Sequence, residues 1–277
     1  MKKIISILLC IILSVSFCVP SFASTKSDTV TVSLNKVEDL VIDNSNYGSN
    51  DSERTLRAQI QYLTYCNDVL NMNTNTDAYN SKSAAQDIAK KKLELGYISQ
   101  KEYNDTVQAV TDQTNGQQSQ SNQRQQDLLT LRHMFGLDDV DKLVVSAADY
   151  SSVDLDKKLS NLNYTNALKD WELYKLSGSD ATDSDNTSKV ETFKKLYNSL
   201  KLVNQTYQSD NDTYQKKLAD AQSMQQKLQN GYASQKDVDD INQEVQKLAN
   251  TVAIDRNNVY MAYLKYDFMR DNGYSLY

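Results

Sequence analysis

The chain has 277 residues, with 30 basic against 36 acidic side chains and a formal charge of −6. Phosphate binding needs a basic surface, so this balance excludes nucleic acid as a partner. The 39% apolar share suits narrow seams between helices better than a thick globular core.

Lys2 and Lys3 precede an apolar run from Ile4 to Phe17, followed by Pro20 and a small-residue ending at Ala23. Residues 1–23 therefore read as a secretory signal peptide. The run falls short of the ~20 residues that cross a bilayer; an uncleaved anchor is the competing reading. Leu9 and Phe17 precede Cys10 and Cys18, which does not fit a lipidation site. The exported chain is then 24–277, with 28 basic residues against 36 acidic ones and a charge of −8. Cys66 is its only cysteine, expected as a small buried residue without a disulfide. Its lack of proline fits long helices, where each proline costs about 3 kcal/mol.

Two halves follow, 24–141 and 142–277. In the first, Leu34, Val37, Leu40 and Val41 share one face of a short helix ahead of a polar loop at 44–51. Ala58, Tyr62, Tyr65, Val69, Met72 and Tyr79 continue a helical stripe toward Leu93, across the weak helix formers at 71–77. Then comes "KLELGYISQKEYND" at 92–105. Gly96 ends a helix, Ser99 caps the next one, and Glu102 completes a capping box. Beyond Tyr103, Thr106 and Val110 lies a Gln-rich stretch at 113–126 that contains Gly116 and no apolar seam. It is either a helix solvated on all sides or a polar wall facing a water-filled channel. Leu128, Leu131 and Phe135 close the half.

The second half opens on "KLVVSAADYSSV" at 142–153, a link with a candidate short strand. Leu155, Leu159 and Leu162 repeat the short helix, before Trp171 and a polar loop at 177–188. A stripe through Val190, Phe193, Tyr197, Leu200, Asn204, Tyr207, Asn211, Tyr214, Leu218, Ala221 and Leu228, with Gln225 completing a step, marks a long helix. "KLQNGYASQKDVDD" at 227–240 then restates the earlier segment, with eight of fourteen positions identical. Gly231, Ser234 and Asp237 take the roles of Gly96, Ser99 and Glu102, the shorter Asp reaching back less well. Val238, Ile241, Val245, Leu248, Val252, Asp255, Val259, Ala262, Tyr266 and Met269 form the last seam. The expected fold is all-α, two tandem repeats of long antiparallel helical hairpins packed like a coiled coil, with few or no β-strands.

Catalysis finds no foothold. His133 is the only histidine, at a helix end, and no metal-ligand pair, phosphate loop or Cys–His arrangement is present. No cofactor is implied.

The segments "VSLNKVEDLVIDNS", "LELGYISQKEY", "LQNGYASQKDV", "LLTLRHMFGL" and "YLKYDFMRDNG" together resemble the outer-membrane efflux protein family, the TolC-like channels. The likeness spans both halves in order. It implies subunits that assemble in threes into a hollow helical tunnel whose hairpin tips meet a periplasmic adaptor. The matching tip positions are Gly96, Tyr97 and Ser99, then Gly231, Tyr232 and Ser234. The family's aperture acids match Asp237 and Asp240, with Glu102 and Asp105 at the equivalent places of the first repeat. Acids in a first helical turn are also stabilised by the helix dipole alone. The sequence departs from the family in having no runs of about ten alternating residues for membrane strands. Two functions follow: an exported, transport-associated conduit or docking component acting through its tips, or a non-transporting coiled-coil protein of the cell envelope. The missing barrel strands leave association with an outer membrane open.

Overall fold

The computed structural model describes residues 29–43, 51–137, 142–151, 153–163, 165–169 and 183–277. The expected signal peptide, most of the loop at 44–51, Trp171 and the first part of the loop at 177–188 lie outside the described residues. The molecule is mostly helical.

Strand β1, Thr29–Val32, is the β-branched run TVTV, and it pairs in parallel with β2, Lys142–Val145. Thr29 lies opposite Lys142, and Val32 opposite Val145. β2 meets the expectation of a strand in the link between the halves; β1 was not anticipated. Parallel strands need a long crossover, and here the whole first helical arm lies between them. Ser146 ties the junction: its N–H and its hydroxyl both donate to the Val32 carbonyl at 2.9 Å, while the Tyr62 hydroxyl donates to the Ser146 carbonyl at 2.8 Å.

A 3₁₀ turn, Leu34–Lys36, leads into helix α1, Val37–Asp43. Leu34, Val37 and Val41 are buried at the helical spacing read from the sequence. Helix α2, Asp51–Glu94, runs unbroken through the weak formers at 71–77. The Thr74 and Thr76 hydroxyls donate back to the Leu70 and Met72 carbonyls, so these side chains find partners without leaving the helix. At 1.5 Å per residue its 44 residues span about 65 Å. Helix α3, Gln100–Met134, returns alongside it.

The second half begins with α4, Leu155–Ser160, then α5, Asp183–Gln229, and α6, Gln235–Asn272. The polar loop expected at 177–188 is corrected at its end, because 183–188 belong to α5. Lack of an apolar periodicity had hidden the start.

The four long helices pack as neighbours in the order α3, α2, α6, α5. Among the described residues no comparable packing joins α3 to α5. Polar contacts between α2 and α6 link Thr64 with Met261, Asn67 with Asn258, and Thr74 with Asn250. Residue numbers rise along one helix as they fall along the other, so the two turns after α2 and α5 lie at the same end. The core sits at the opposite end, against the sheet. Val32, Leu34, Val37, Tyr62, Leu63, Leu131, Phe135, Leu143, Leu155, Phe193, Leu200, Tyr266 and Met269 are buried there. The base thus holds a fuller core than the apolar share suggested, while the arms are thin, with little beyond Ala89, Ala221 and Val238 buried toward their tips.

Candidate functional site

Each arm ends in the same turn, built from the same bonds. After α2, Gly96 donates to the Leu93 carbonyl at 2.9 Å and Tyr97 to the Lys92 carbonyl at 2.8 Å. After α5, Gly231 donates to Leu228 at 3.0 Å and Tyr232 to Lys227 at 2.7 Å. Both are Schellman turns, which put the glycine in the left-handed region, here φ 75° and 76°. A side chain at either glycine would meet open space, so the requirement for glycine is conformational.

The next helix is capped reciprocally. Ser99 accepts from the Glu102 N–H, and the Ser99 N–H donates to Glu102 Oε2 at 2.7 Å. Ser234 and Asp237 do the same, with the reverse bond at 2.8 Å. The shorter Asp was expected to reach back less well, yet the distance is the same within 0.1 Å. These bonds from Ser99 and Ser234 hold the Glu102 and Asp237 carboxyls below their ordinary range. Asp105 pairs with Lys101 at 3.2 Å, and Asp240 pairs with Lys236. All four candidate aperture acids therefore have partners within their own helix.

The tyrosines differ from the other tip residues. Tyr97 is 76% exposed and Tyr232 82%, so neither ring folds back on its helix as turn packing would require. Their backbone amides serve the turn, while most of each ring faces solvent. Leu95 and Ile88 are also exposed beside the first tip, where Ala85, Ile88, Ala89, Lys92, Ile98, Glu102 and Thr106 line a groove of about 340 Å³.

Away from the tips, the arms hold groups the sequence reading did not single out. The Gln-rich stretch is not solvated on all sides, because one face hydrogen-bonds to α2. Asn75 donates to Gln120 at 2.6 Å, Gln113 and Gln117 donate to the Asn75 carbonyl, and Lys82 donates to Gln113 at 2.9 Å. Deeper in the same seam Asp127, 7% exposed, accepts from Gln61 at 2.9 Å and from Gln123. Asp127 also faces Asp68, whose carboxyl is pushed up to about 7 by burial and by that neighbour. In the second arm Asp255 faces Asp210 and is pushed up to about 6 for the same reasons. One oxygen each of Asp68 and Asp255 is buried without a donor. Of these four acids the sequence seam contained only Asp255, as a polar interruption.

At the base, Asn257 joins three elements: it donates to Asn67 at 2.7 Å and accepts from the Tyr150 hydroxyl at 2.7 Å. Tyr150 packs edge-on against Tyr260 and lies beneath the Arg256 guanidinium, 4.8 Å from the ring centre. A polar depression of about 480 Å³ opens here, with Arg256 3.7 Å from Asp156 at its wall. Cys66 is buried as expected; its thiol lies 3.7 Å from the Ser146 carbonyl and burial pushes its pKa up to about 12, so it is chemically quiet. Among the described residues no cluster of three His, Cys, Asp or Glu side chains is placed to hold a metal ion. No described helix is long and apolar enough to cross a membrane. Comparison of the sequence with family models and curated proteins, and of the structure with solved structures, finds no match.

Proposed function

We propose that this chain is an exported TolC-like helical protein of the cell envelope, a transport-associated conduit or docking component that acts through its two hairpin tips. In this reading the chain is a tandem duplication, each copy contributing one strand, one short helix and one long hairpin. The observation that carries it is the open layer α3–α2–α6–α5. Four helices that closed into a bundle would bury their outer faces on each other; here α3 and α5 are left at opposite edges. Further copies close such a layer into a ring, and three copies supply twelve long helices. The exposed Tyr97 and Tyr232 then stand at one rim, where a partner's apolar surface would meet both. The tip acids are a weaker support, since capping and ion pairs within the helix account for them.

A second reading, a non-transporting envelope spacer, is favoured by one observation: the base core closes within a single chain. Lysine cross-linking on a mixture of isotopically light and heavy chains separates the two. Within one copy α3 and α5 are three helix spacings apart, about 25–30 Å. The conduit reading expects mixed-isotope links from Lys101 on α3 to Lys216 or Lys227 on α5. Links confined to single copies at all concentrations contradict it.

A further inference from the structure

The turns at Gly96 and Gly231 are 135 residues apart, and that offset carries one arm's register onto the other. Asn75 and Gln120, hydrogen-bonded across the first arm, map onto Asp210 and Asp255, which face each other across the second. Asp68 and Asp127 map onto Val203 and Ala262. Each arm thus has one layer of facing carboxyls, placed one heptad nearer the tip in the second arm. The same seam position accepts an amide pair in one copy and an acid pair in the other. An amide pair bonds at any pH; two facing carboxylates repel, and bond only when a proton stands between them.

Around the first pair, α2 contributes Gln61 and Tyr65, and α3 contributes Gln123 and Arg124; the neighbouring α6 residues Asn257 and Asn258 are neutral and bonded to Asn67. Gln61 and Gln123 donate to Asp127 and leave a buried Asp68 oxygen without a donor. Near the second pair, Lys217 pairs with Glu244 at 2.7 Å, while Arg256 lies 3.7 Å from Asp156 and over the Tyr150 ring, its buried Nε without a hydrogen-bond partner. None of the four acids makes an ion pair with a described residue.

We propose that the two carboxyl pairs make the arms proton-sensitive: each seam is held by a shared proton and loosens when that proton leaves, so the arms stiffen as their surroundings acidify. This goes beyond the conduit reading and does not depend on it. The sign follows from linkage. A carboxyl whose folded pKa lies above its unfolded one binds more protons in the folded chain, so stability falls as pH rises through the interval between them. For Asp68 that interval runs from the ordinary 3.8 to about 7, and for Asp255 from 3.8 to about 6.

The test is thermal melting of the full chain, followed by circular dichroism, between about pH 5 and pH 8. The double variant Asp68→Asn/Asp255→Asn supplies an amide donor at each pair without needing a proton. It is expected to lose most of the fall in melting temperature seen for the native chain and to melt above it at the alkaline end. The exposed-acid variant Asp87→Asn/Asp212→Asn removes the same charge and is expected to keep the native slope. Equal flattening in both variants would assign the slope to general charge repulsion and overturn the proposal. So would a pair variant whose slope is unchanged. Should the pair variant not fold, Asn75→Asp/Gln120→Glu builds a new acid layer in the first arm, expected to steepen the slope; an unchanged slope overturns the proposal equally.

Discussion

Along its middle, the α2–α3 arm holds its helices with amide bonds through Asn75, Gln113, Gln117 and Gln120, whereas the corresponding stretch of the α5–α6 arm carries Tyr207, Tyr214 and Leu218 on one helix and Ile241, Val245, Leu248 and Val252 on the other. A hydrogen bond formed from solvated partners adds about 0.5–1.5 kcal/mol net. Full burial of a large apolar side chain adds about 1.5–3 kcal/mol, and the half-buried residues here add a fraction of that each. The apolar arm is therefore the more cohesive of the two, while the amide arm trades cohesion for a register that only matching polar partners satisfy. One turn design thus caps two arms of unequal stiffness.

The largest expected effect tests whether the arms share one base. Phe135 follows α3, Phe193 lies near the start of α5, and both are fully buried in the same cluster. Truncating either to Ala should cost about 3–5 kcal/mol, and both variants should lower a single cooperative unfolding transition. Loss of one arm's protection from hydrogen exchange while the other keeps its own would split the base into two cores.

A smaller effect sharpens the contrast between seams. Asn75→Leu/Gln120→Leu replaces both members of one amide pair, a change that ranges from neutral to stabilising when no donor is left behind. Amides flanking 75 and 120 should then exchange more slowly, approaching the protection of the apolar layer around Tyr214 and Leu248 in the other arm. Faster exchange there would show that the pair fixes the register rather than merely filling it.

Next come the caps, where the arms should behave alike. Ser99→Ala and Ser234→Ala should each cost about 1 kcal/mol. The Glu102 and Asp237 carboxyls are held low by the cap amides, so their part is present above the ordinary carboxylate range and lost as pH falls through the depressed values. That dependence is opposite in sign to the one expected from the seam acids, and melting curves of the cap variants at acid pH would separate the two. The smallest effect on stability belongs to Tyr97→Ala/Tyr232→Ala, expected within about 0.5 kcal/mol of the native chain because both residues are largely exposed. A larger loss would return those tyrosines to the fold.

How far the sequence could be read tracks how each seam is written. The α5–α6 stripes, Val190 to Leu228 and Val238 to Met269, are largely buried or half-buried as periodicity required, with Gln225 exposed. Glycine and serine chemistry located both turns and both caps, because those positions have few alternatives. The α2–α6 contact was illegible, since Asn67, Thr74, Asn250 and Asn257 look like a solvated face until a second helix is placed beside them. The Gln-rich stretch misled for the same reason: an amide satisfied by another amide has no hydrophobic signal. TVTV carried a β-branched signal of only four residues, and its pairing with β2 lies across the entire first arm. The acid pairs were invisible because a facing carboxyl is a property of register, which periodicity alone does not supply.

Self-assembly is the central claim, and the absolute mass of residues 24–277 in solution tests it most directly, by light scattering over a range of concentrations. The open layer α3–α2–α6–α5 is expected to close by copying itself, giving a trimer that persists on dilution. A monomer at every concentration would contradict that closure.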